Sequence, residues 1–216
     1  MIRLLLLSTA MLLSLNASAQ KDTAGIAPED STTIGFAMYD LYHKLPEGPL
    51  GNFIADGIKT AVQLKWGNKI HIALVSPQSI RGKIEKGTFK KNQLLKLLPY
   101  EDSIAVMKVN GAQLKPMLDK IASLGGFAVA GLQMQINNMQ ADSIFINRQP
   151  LDSAREYMLA IPYYLLVKKR IPVPANIPVL NADLSMRRAI CEYIQWLTNT
   201  GKTIWPVPYR RIRYAN

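Results

Sequence analysis

The sequence predicts an α/β fold of the α+β type, in which helices pack on a mixed β-sheet. Three observations support this class: helical and strand patterns are mixed in the first half, a run of strand patterns follows, and an amphipathic helix comes near the end. The length of 216 residues suits one domain, and 49% hydrophobic with 19% charged residues is typical of a chain with a buried core.

The first residues are predicted to be a targeting signal. Arg3 precedes an apolar run from Leu4 to Leu15, and Ala17-Ser18-Ala19 is a small-residue cleavage site, so residues 1–19 are typical of a cleavable secretory signal. The run is shorter than the roughly 20 residues that a membrane span needs. An uncleaved N-terminal anchor is the alternative. We expect a periplasmic or secreted protein of a Gram-negative bacterium, without a transmembrane segment after cleavage.

The remaining chain is predicted to form a flexible leader and one domain. Residues 20–33 are mostly polar and have no periodicity, which is typical of a mobile leader. The single domain then covers residues 34–216.

Four helices are expected from apolar periodicity and from their start and stop residues. Three of them end before a glycine: Pro49 opens the first helix, Pro116 lies early in the third, and Ser185 caps the last. The predicted ranges are 49–66, 93–98, 112–124 and 186–200.

Strands are expected where short apolar runs are bounded by turn residues. Pro77-Gln78-Ser79 ends the first strand, so a loop with Arg81 should leave the end of that strand. The proline-rich segment 168–180 should be an irregular loop. The predicted strands are 70–75, 104–109, 127–136, 142–146 and 156–166.

Composition excludes several kinds of site. One cysteine, Cys191, cannot form an internal disulfide, and two histidines without metal-binding spacing do not suit a zinc site. Neither a nucleophile motif nor a glycine-rich phosphate loop is present. We interpret His71 as a partly buried structural histidine and Cys191 as a packed thiol. Residue chemistry alone therefore indicates a basic α/β domain without visible catalytic machinery.

A formal charge of +11 favours an anionic partner without identifying it. Nucleic acid is not expected, because no recognition motif accompanies the charge. We interpret the run Lys168-Lys169-Arg170 as a solvated loop, with a docking patch for an anionic ligand as the alternative.

Several segments, in order, resemble the C-terminal domain of the 5′-nucleotidase family, which includes UDP-sugar hydrolases and ecto-5′-nucleotidases. Together they cover about residues 44–213. They are EGPLGNFIADGI (47–58), IALVSPQSIR (72–81), LLPYEDSIAVMKVNGAQLKPML (97–118), GGFAVAGLQMQIN (125–137), YMLAIPYYL (157–165), and RRAICEYI (187–194) with the terminal WPVPYRRI (205–212).

The resemblance implies a division of labour. In the full-length enzymes of this family, an N-terminal metallophosphatase domain holds two metals and hydrolyses the substrate, and the C-terminal domain binds the nucleotide. This chain resembles the C-terminal half alone. We therefore expect no catalytic residue, no metal and no cofactor in this chain, with divalent metals only in a separate metallophosphatase.

The resemblance also implies five substrate-binding residues. Arg81 matches a phosphate-binding arginine, and Lys44 stands where another phosphate-contacting arginine is expected. Tyr100 matches one of two rings that sandwich the base, Asn52 matches the asparagine of the helix motif, and Ser76 replaces a substrate-contacting asparagine. Structural alternatives remain for each of the first four: a solvated loop arginine, a surface lysine, a structural ring, and an asparagine that ties a loop to the helix start.

The sequence departs from the family pattern in two places. Pro77-Gln78-Ser79 replaces a glycine loop, and the segment 166–170 replaces the family's Gly-Gly-Asp-Gly-Phe, so a second stacking ring and a ribose-binding aspartate are missing. Two functions follow. The first is a recognition module for nucleotides or nucleotide sugars that acts with a separate metallophosphatase in nucleotide catabolism. The alternative is a non-enzymatic envelope scaffold that has lost nucleotide recognition.

Overall fold

A five-stranded mixed sheet forms the centre of the molecule, and its strands lie in the order β12 (Val179–Ser185), β6 (Ser103–Asn110), β11 (Glu156–Pro162), β3 (Ile72–Val75) and β7 (Ala128–Ala130). The computed structural model describes residues 25–206 and 210–215. Strands β3 and β11 are parallel, whereas β6, β7 and β12 each run antiparallel to a neighbour. A second sheet has four strands in the order β10 (Gln149–Pro150), β9 (Gln140–Ile146), β8 (Leu132–Asn137) and β13 (Ile212–Tyr214). Two-stranded ribbons pair β1 (Thr33–Ala37) with β5 (Gly87–Lys90) and β2 (Leu41–Tyr42) with β4 (Lys83–Ile84). The predicted fold class is confirmed.

Five α-helices lie in the described part of the chain. Their bounds are α1 Pro49–Trp66, α2 Gln93–Leu97, α3 Gly111–Ser123, α4 Tyr164–Val167 and α5 Met186–Asn199.

The strands are short, and the longest has eight residues. Their bounds are β1 Thr33–Ala37, β2 Leu41–Tyr42, β3 Ile72–Val75, β4 Lys83–Ile84, β5 Gly87–Lys90, β6 Ser103–Asn110, β7 Ala128–Ala130, β8 Leu132–Asn137, β9 Gln140–Ile146, β10 Gln149–Pro150, β11 Glu156–Pro162, β12 Val179–Ser185 and β13 Ile212–Tyr214.

The central sheet is apolar on both faces, because alternate side chains of a strand point to opposite sides. In β3, Ala73 and Val75 pack with α1 and α5 in one cluster, whereas Ile72 and Leu74 pack with α3, β8 and β9 in another. The molecule therefore has three layers: α1 with α5, the central sheet, and α3 with the four-stranded sheet.

The predicted strand 127–136 is two strands, β7 and β8. Gly131 separates them with φ +71°, and a Cβ at this position would lie 2.0 Å from the His71 carbonyl oxygen. Only glycine fits there, because it combines a left-handed backbone with the absence of a side chain.

The predicted strand 156–166 was wrong beyond Pro162, where β11 ends. Proline cannot extend a hydrogen-bonded ladder through its nitrogen, and the chain turns into α4 instead. The predicted loop 168–180 was wrong at its end, because β12 already begins at Val179.

The N-terminal signal prediction and leader residues 20–24 lie outside the described residues. Within the predicted leader, Asp30 forms an ion pair of 2.8 Å with Lys91 and accepts a backbone hydrogen bond from Asn92. The contact with Lys91 lowers the pKa of Asp30 to about 2. None of the described helices has the length and apolar content that a bilayer crossing requires.

Candidate functional site

Loops from several elements meet at one edge of the central sheet. The parallel strands β3 and β11 both end there, at Val75 and Pro162, and the antiparallel β6 begins there at Ser103. We call this edge the site edge. The carboxyl ends of parallel strands in an open sheet are a common place for a ligand.

The loop after β3 carries Arg81 at the site edge. Ser76 is buried, and its Oγ accepts a hydrogen bond of 3.3 Å from Gln78 N, which caps the short 3-10 helix Pro77–Ser79. The backbone N–H of Arg81 donates to Leu97 O at 2.8 Å. The Arg81 side chain is exposed and has no ion-pair partner among the described residues. Ser76 therefore shapes the loop, and Arg81 presents a cation that no carboxylate neutralises there.

Lys44 precedes α1 at the same side of the sheet. It is exposed and has no ion-pair partner in the part of the chain that the structure describes. Its neighbour His43 is half-buried, with Nδ1 3.7 Å from the Cβ position of Gly51. Burial and then the positive charge of Arg81 lower the pKa of His43. His43 therefore lies close enough to Arg81 for the two charges to interact, and it is neutral at pH 7.

Asn52 lies near the start of α1. It is fully buried, and its Nδ2 donates to Glu47 Oε2 at 3.0 Å. The same carboxylate accepts the backbone N–H groups of Arg210 and Arg211. Asn52 Oδ1 is buried without a hydrogen-bond partner among the described residues. Asn52 and the backbone N–H groups of Arg210 and Arg211 therefore share the Glu47 carboxylate, which joins the start of α1 to the C-terminal segment.

Tyr100 is an exposed ring on a turn between α2 and β6, with 60% of its surface accessible. Arg187, at the start of α5, holds this turn. Its Nε donates to Leu98 O at 2.7 Å, its Nη2 donates to Pro99 O, and its Nη1 forms an ion pair with Glu101. The turn has a fixed backbone, and its aromatic ring faces solvent.

A series of hydrogen bonds at the site edge was not predicted from the sequence. Tyr164 follows β11, and its hydroxyl donates to Gln78 Oε1 at 3.2 Å and accepts from Arg170 Nε at 3.3 Å. Its backbone N–H donates to the Asp102 carboxylate at 3.2 Å. Burial raises the pKa of Asp102. The ordered loops after β3 and β11 are thus connected directly.

Tyr163 is a second exposed ring at this edge, with 48% of its surface accessible. Its backbone N–H donates to Ser103 O at 2.8 Å, which places it beside the start of β6. The sequence Pro162-Tyr163-Tyr164 could have indicated that both tyrosines lie at the end of a strand, because a proline often ends a strand. The apolar run from 156 to 166 had placed these tyrosines inside a strand instead.

The described residues contain no group of three His, Cys, Asp or Glu side chains that could hold a metal ion. His71 Nδ1 accepts a hydrogen bond of 3.0 Å from Met158 N, and Cys191 is buried, so both predicted structural roles are confirmed. The site edge offers cations, exposed tyrosines and hydrogen-bonded loops. This arrangement can bind an anion that carries a flat ring, and among the described residues it has no assembled nucleophile and base.

A family model described as "5′-nucleotidase, C-terminal domain" matches residues 30–172. No curated protein sequence gives a significant match.

Solved structures have the same fold. A 5′-nucleotidase precursor from Thermus thermophilus is 21% identical with a TM-score of 0.73, and the match covers 86% of this chain and 40% of that one. An NAD nucleotidase from Haemophilus influenzae is 11% identical with a TM-score of 0.68, covering 87% and 39%. A sulfate thiohydrolase from Thermus thermophilus is 15% identical with a TM-score of 0.63, covering 86% and 35%. The chain thus spans about 40% of the length of its first two structural relatives.

Proposed function

The chain belongs to the 5′-nucleotidase C-terminal domain family, and from that premise we propose that it is a substrate-recognition module for nucleotides or nucleotide sugars. The observation that supports the proposal is that a cation, Arg81, and an exposed ring, Tyr100, lie on two loops that a backbone hydrogen bond connects. Arg81 N donates to Leu97 O, three residues before Tyr100.

The chemistry of these side chains suits a nucleotide. A guanidinium is planar and donates two parallel hydrogen bonds to phosphate oxygens, and Lys44 adds a point charge. Stacking of a base on an exposed tyrosine is worth about 1–3 kcal/mol. Tyr163 supplies a second ring at the same edge, in the region where the family's second stacking ring is missing from this sequence.

Neutral His43 has a supporting role in this proposal. Its charged form is disfavoured by burial and by the nearby Arg81, so it does not repel that guanidinium at neutral pH. Ser76 and Asn52 act indirectly, since one caps the Arg81 loop and the other ties α1 to the C-terminal strand.

Backbone NMR spectra with and without AMP test this function. We expect shifts to cluster at the site edge, in the loops that carry Lys44, Arg81, Tyr100 and Tyr163. An absence of shifts at millimolar AMP would contradict nucleotide recognition and favour the envelope scaffold. The sulfate thiohydrolase among the structural relatives makes this test necessary, because the shared fold does not specify a substrate.

We further propose that hydrolysis requires a separate metallophosphatase, which holds the divalent metals, and that the protein is exported to the periplasm or secreted. Purified chain should not hydrolyse AMP with Mn²⁺, Zn²⁺ or Mg²⁺, and hydrolysis should appear when a metallophosphatase domain is added. Metal-dependent turnover by the pure chain would contradict this division of roles. Cleavage after Ala19 in exported protein, read by N-terminal sequencing, tests the location.

A further inference from the structure

A groove beside α4 shares one lining residue, Tyr163, with the nucleotide proposal. Its volume is about 760 Å³. It is lined by Tyr163, by α4 with the segment that follows it as far as Val179, and by Lys120 from α3. Small-molecule sites are typically about 300–1,000 Å³, with mostly apolar walls and a few polar groups. The groove has both properties.

All the charged residues that line the groove are positively charged. Lys120, Lys169 and Arg170 line it, and no Asp or Glu does so among the residues that the structure places there. Most of its other lining residues are apolar. Val167 and Val179 leave 60% and 41% of their surfaces accessible, which is unusual for clustered aliphatic side chains.

Lys169 has a backbone conformation that rarely suits lysine. Its φ is +47°, in the left-handed region, directly after α4. Its N–H donates to Leu166 O, and the N–H of Arg170 donates to Leu165 O, both at 3.0 Å. Glycine or asparagine is the usual residue at such a helix end. A lysine at this position carries a conformational cost, and Lys169 lines the groove.

We infer that the α4 groove binds an amphiphilic anion, a small molecule with an apolar chain and a phosphate, sulfate or carboxylate head. The apolar lining covers the chain, and Lys120, Lys169 and Arg170 attract the head. The concave shape favours a single molecule over a bilayer surface. This inference goes beyond nucleotide binding, since Tyr163 is shared but Arg81, Lys44 and Tyr100 do not line the groove.

Calorimetric titration of the full chain with three probes tests the inference. Decyl phosphate, kept below its micelle concentration, carries chain and head; decyl glucoside carries the chain alone, and inorganic phosphate carries the head alone. We expect decyl phosphate to bind at least about tenfold more tightly than either partial probe, since both parts of the ligand contribute. Equal binding of decyl phosphate and decyl glucoside, or no binding of decyl phosphate, would overturn the inference.

The Lys169→Gly variant distinguishes a loss of ligand affinity from a loss of protein stability. Glycine relieves the left-handed strain, so the variant should be at least as stable as the parent protein, yet bind decyl phosphate about tenfold more weakly. Lys86→Ala, at an exposed lysine outside the groove, should leave affinity unchanged. Unchanged affinity in Lys169→Gly would refute the assignment. So would flotation of the protein with phosphatidylglycerol vesicles in a manner that Lys169→Gly abolishes, because the occupant would then be a membrane.

Discussion

At the scale of single residues, the structure divides the five predicted binding residues into two groups. Arg81, Lys44 and Tyr100 are exposed, so a ligand can reach them. Asn52 and Ser76 are buried and bonded within the protein. A sequence motif shows that a residue type is present, but whether its polar atoms face a ligand or a neighbour depends on packing. Asn52 illustrates this, because its Nδ2 donates to Glu47, whose other hydrogen-bond donors, Arg210 and Arg211, lie far along the chain.

The two histidines should make stability pH-dependent. Burial is the largest cause that lowers the pKa of each, and neutral His71 accepts the hydrogen bond from Met158 N. The unfolded chain takes up protons near pH 6.5, whereas the folded chain does so at lower pH. The unfolded state thus binds more protons in this window, and the free energy of unfolding should fall as the pH drops from about 7 to about 5.

Urea unfolding across this range measures the effect. A His43→Asn/His71→Asn variant should show a smaller fall, because asparagine does not titrate and its Oδ1 can replace His71 Nδ1 as the acceptor from Met158 N. Asp30 and Asp102 are present in both proteins, so their contributions cancel in the comparison. An identical fall in both proteins would contradict the assignment to histidine.

At the scale of elements, local patterns predicted the long helices well and the strands only in part. The 18-residue α1 begins and ends as predicted, because Pro49 and Gly67 are local signals. By contrast, β13 pairs with β8, and the turn into α4 is held by Asp102, which lies 62 residues from Tyr164. Short strands and turns fixed by such distant partners leave little trace in local periodicity.

The contact between α5 and the Tyr100 turn leads to a prediction about positioning. Arg187 holds three groups of this turn with one planar fork, which a lysine cannot reproduce. Arg187→Lys should loosen the Tyr100 ring and weaken adenosine binding about three- to tenfold, since stacking is worth about 1–3 kcal/mol. Binding of inorganic phosphate should be unchanged, because Arg81 is not altered.

Fluorescence or calorimetric titration with adenosine and with phosphate measures the two contributions. Arg188→Lys is the matched control, since Arg188 is the next residue of α5 and bonds Glu192 on the same helix. Equal losses for adenosine and phosphate in Arg187→Lys would indicate general destabilisation instead of a positioning role.

At the scale of the whole molecule, part of the positive charge has a structural explanation that the sequence did not show. Arg187 holds the Tyr100 turn, Arg188 pairs with Glu192, and Arg211 forms a two-pronged contact with Asp56 at 2.9 and 2.7 Å. These arginines stabilise the fold. The cations at the site edge and in the α4 groove remain available for anions.

The fold class and the family could be predicted from the sequence because ordered motifs extend along most of the chain. The candidate site could be predicted only in part. Arg81 and Tyr100 were identified from motif positions, but Tyr163 and the Tyr164 hydrogen bonds depend on where β11 ends. The structure therefore adds Tyr163 and the Tyr164 hydrogen bonds to the candidate site.

The most direct test of the central claim is a comparison of AMP and adenosine binding by calorimetry in the parent protein and in Arg81→Ala. We expect AMP to bind more tightly than adenosine, and Arg81→Ala to weaken AMP binding about 10- to 100-fold while adenosine binding stays within about twofold. Lys86→Ala should match the parent protein. Equal affinity of the parent protein for AMP and adenosine, or an Arg81→Ala variant that binds AMP unchanged, would contradict phosphate recognition at the site edge.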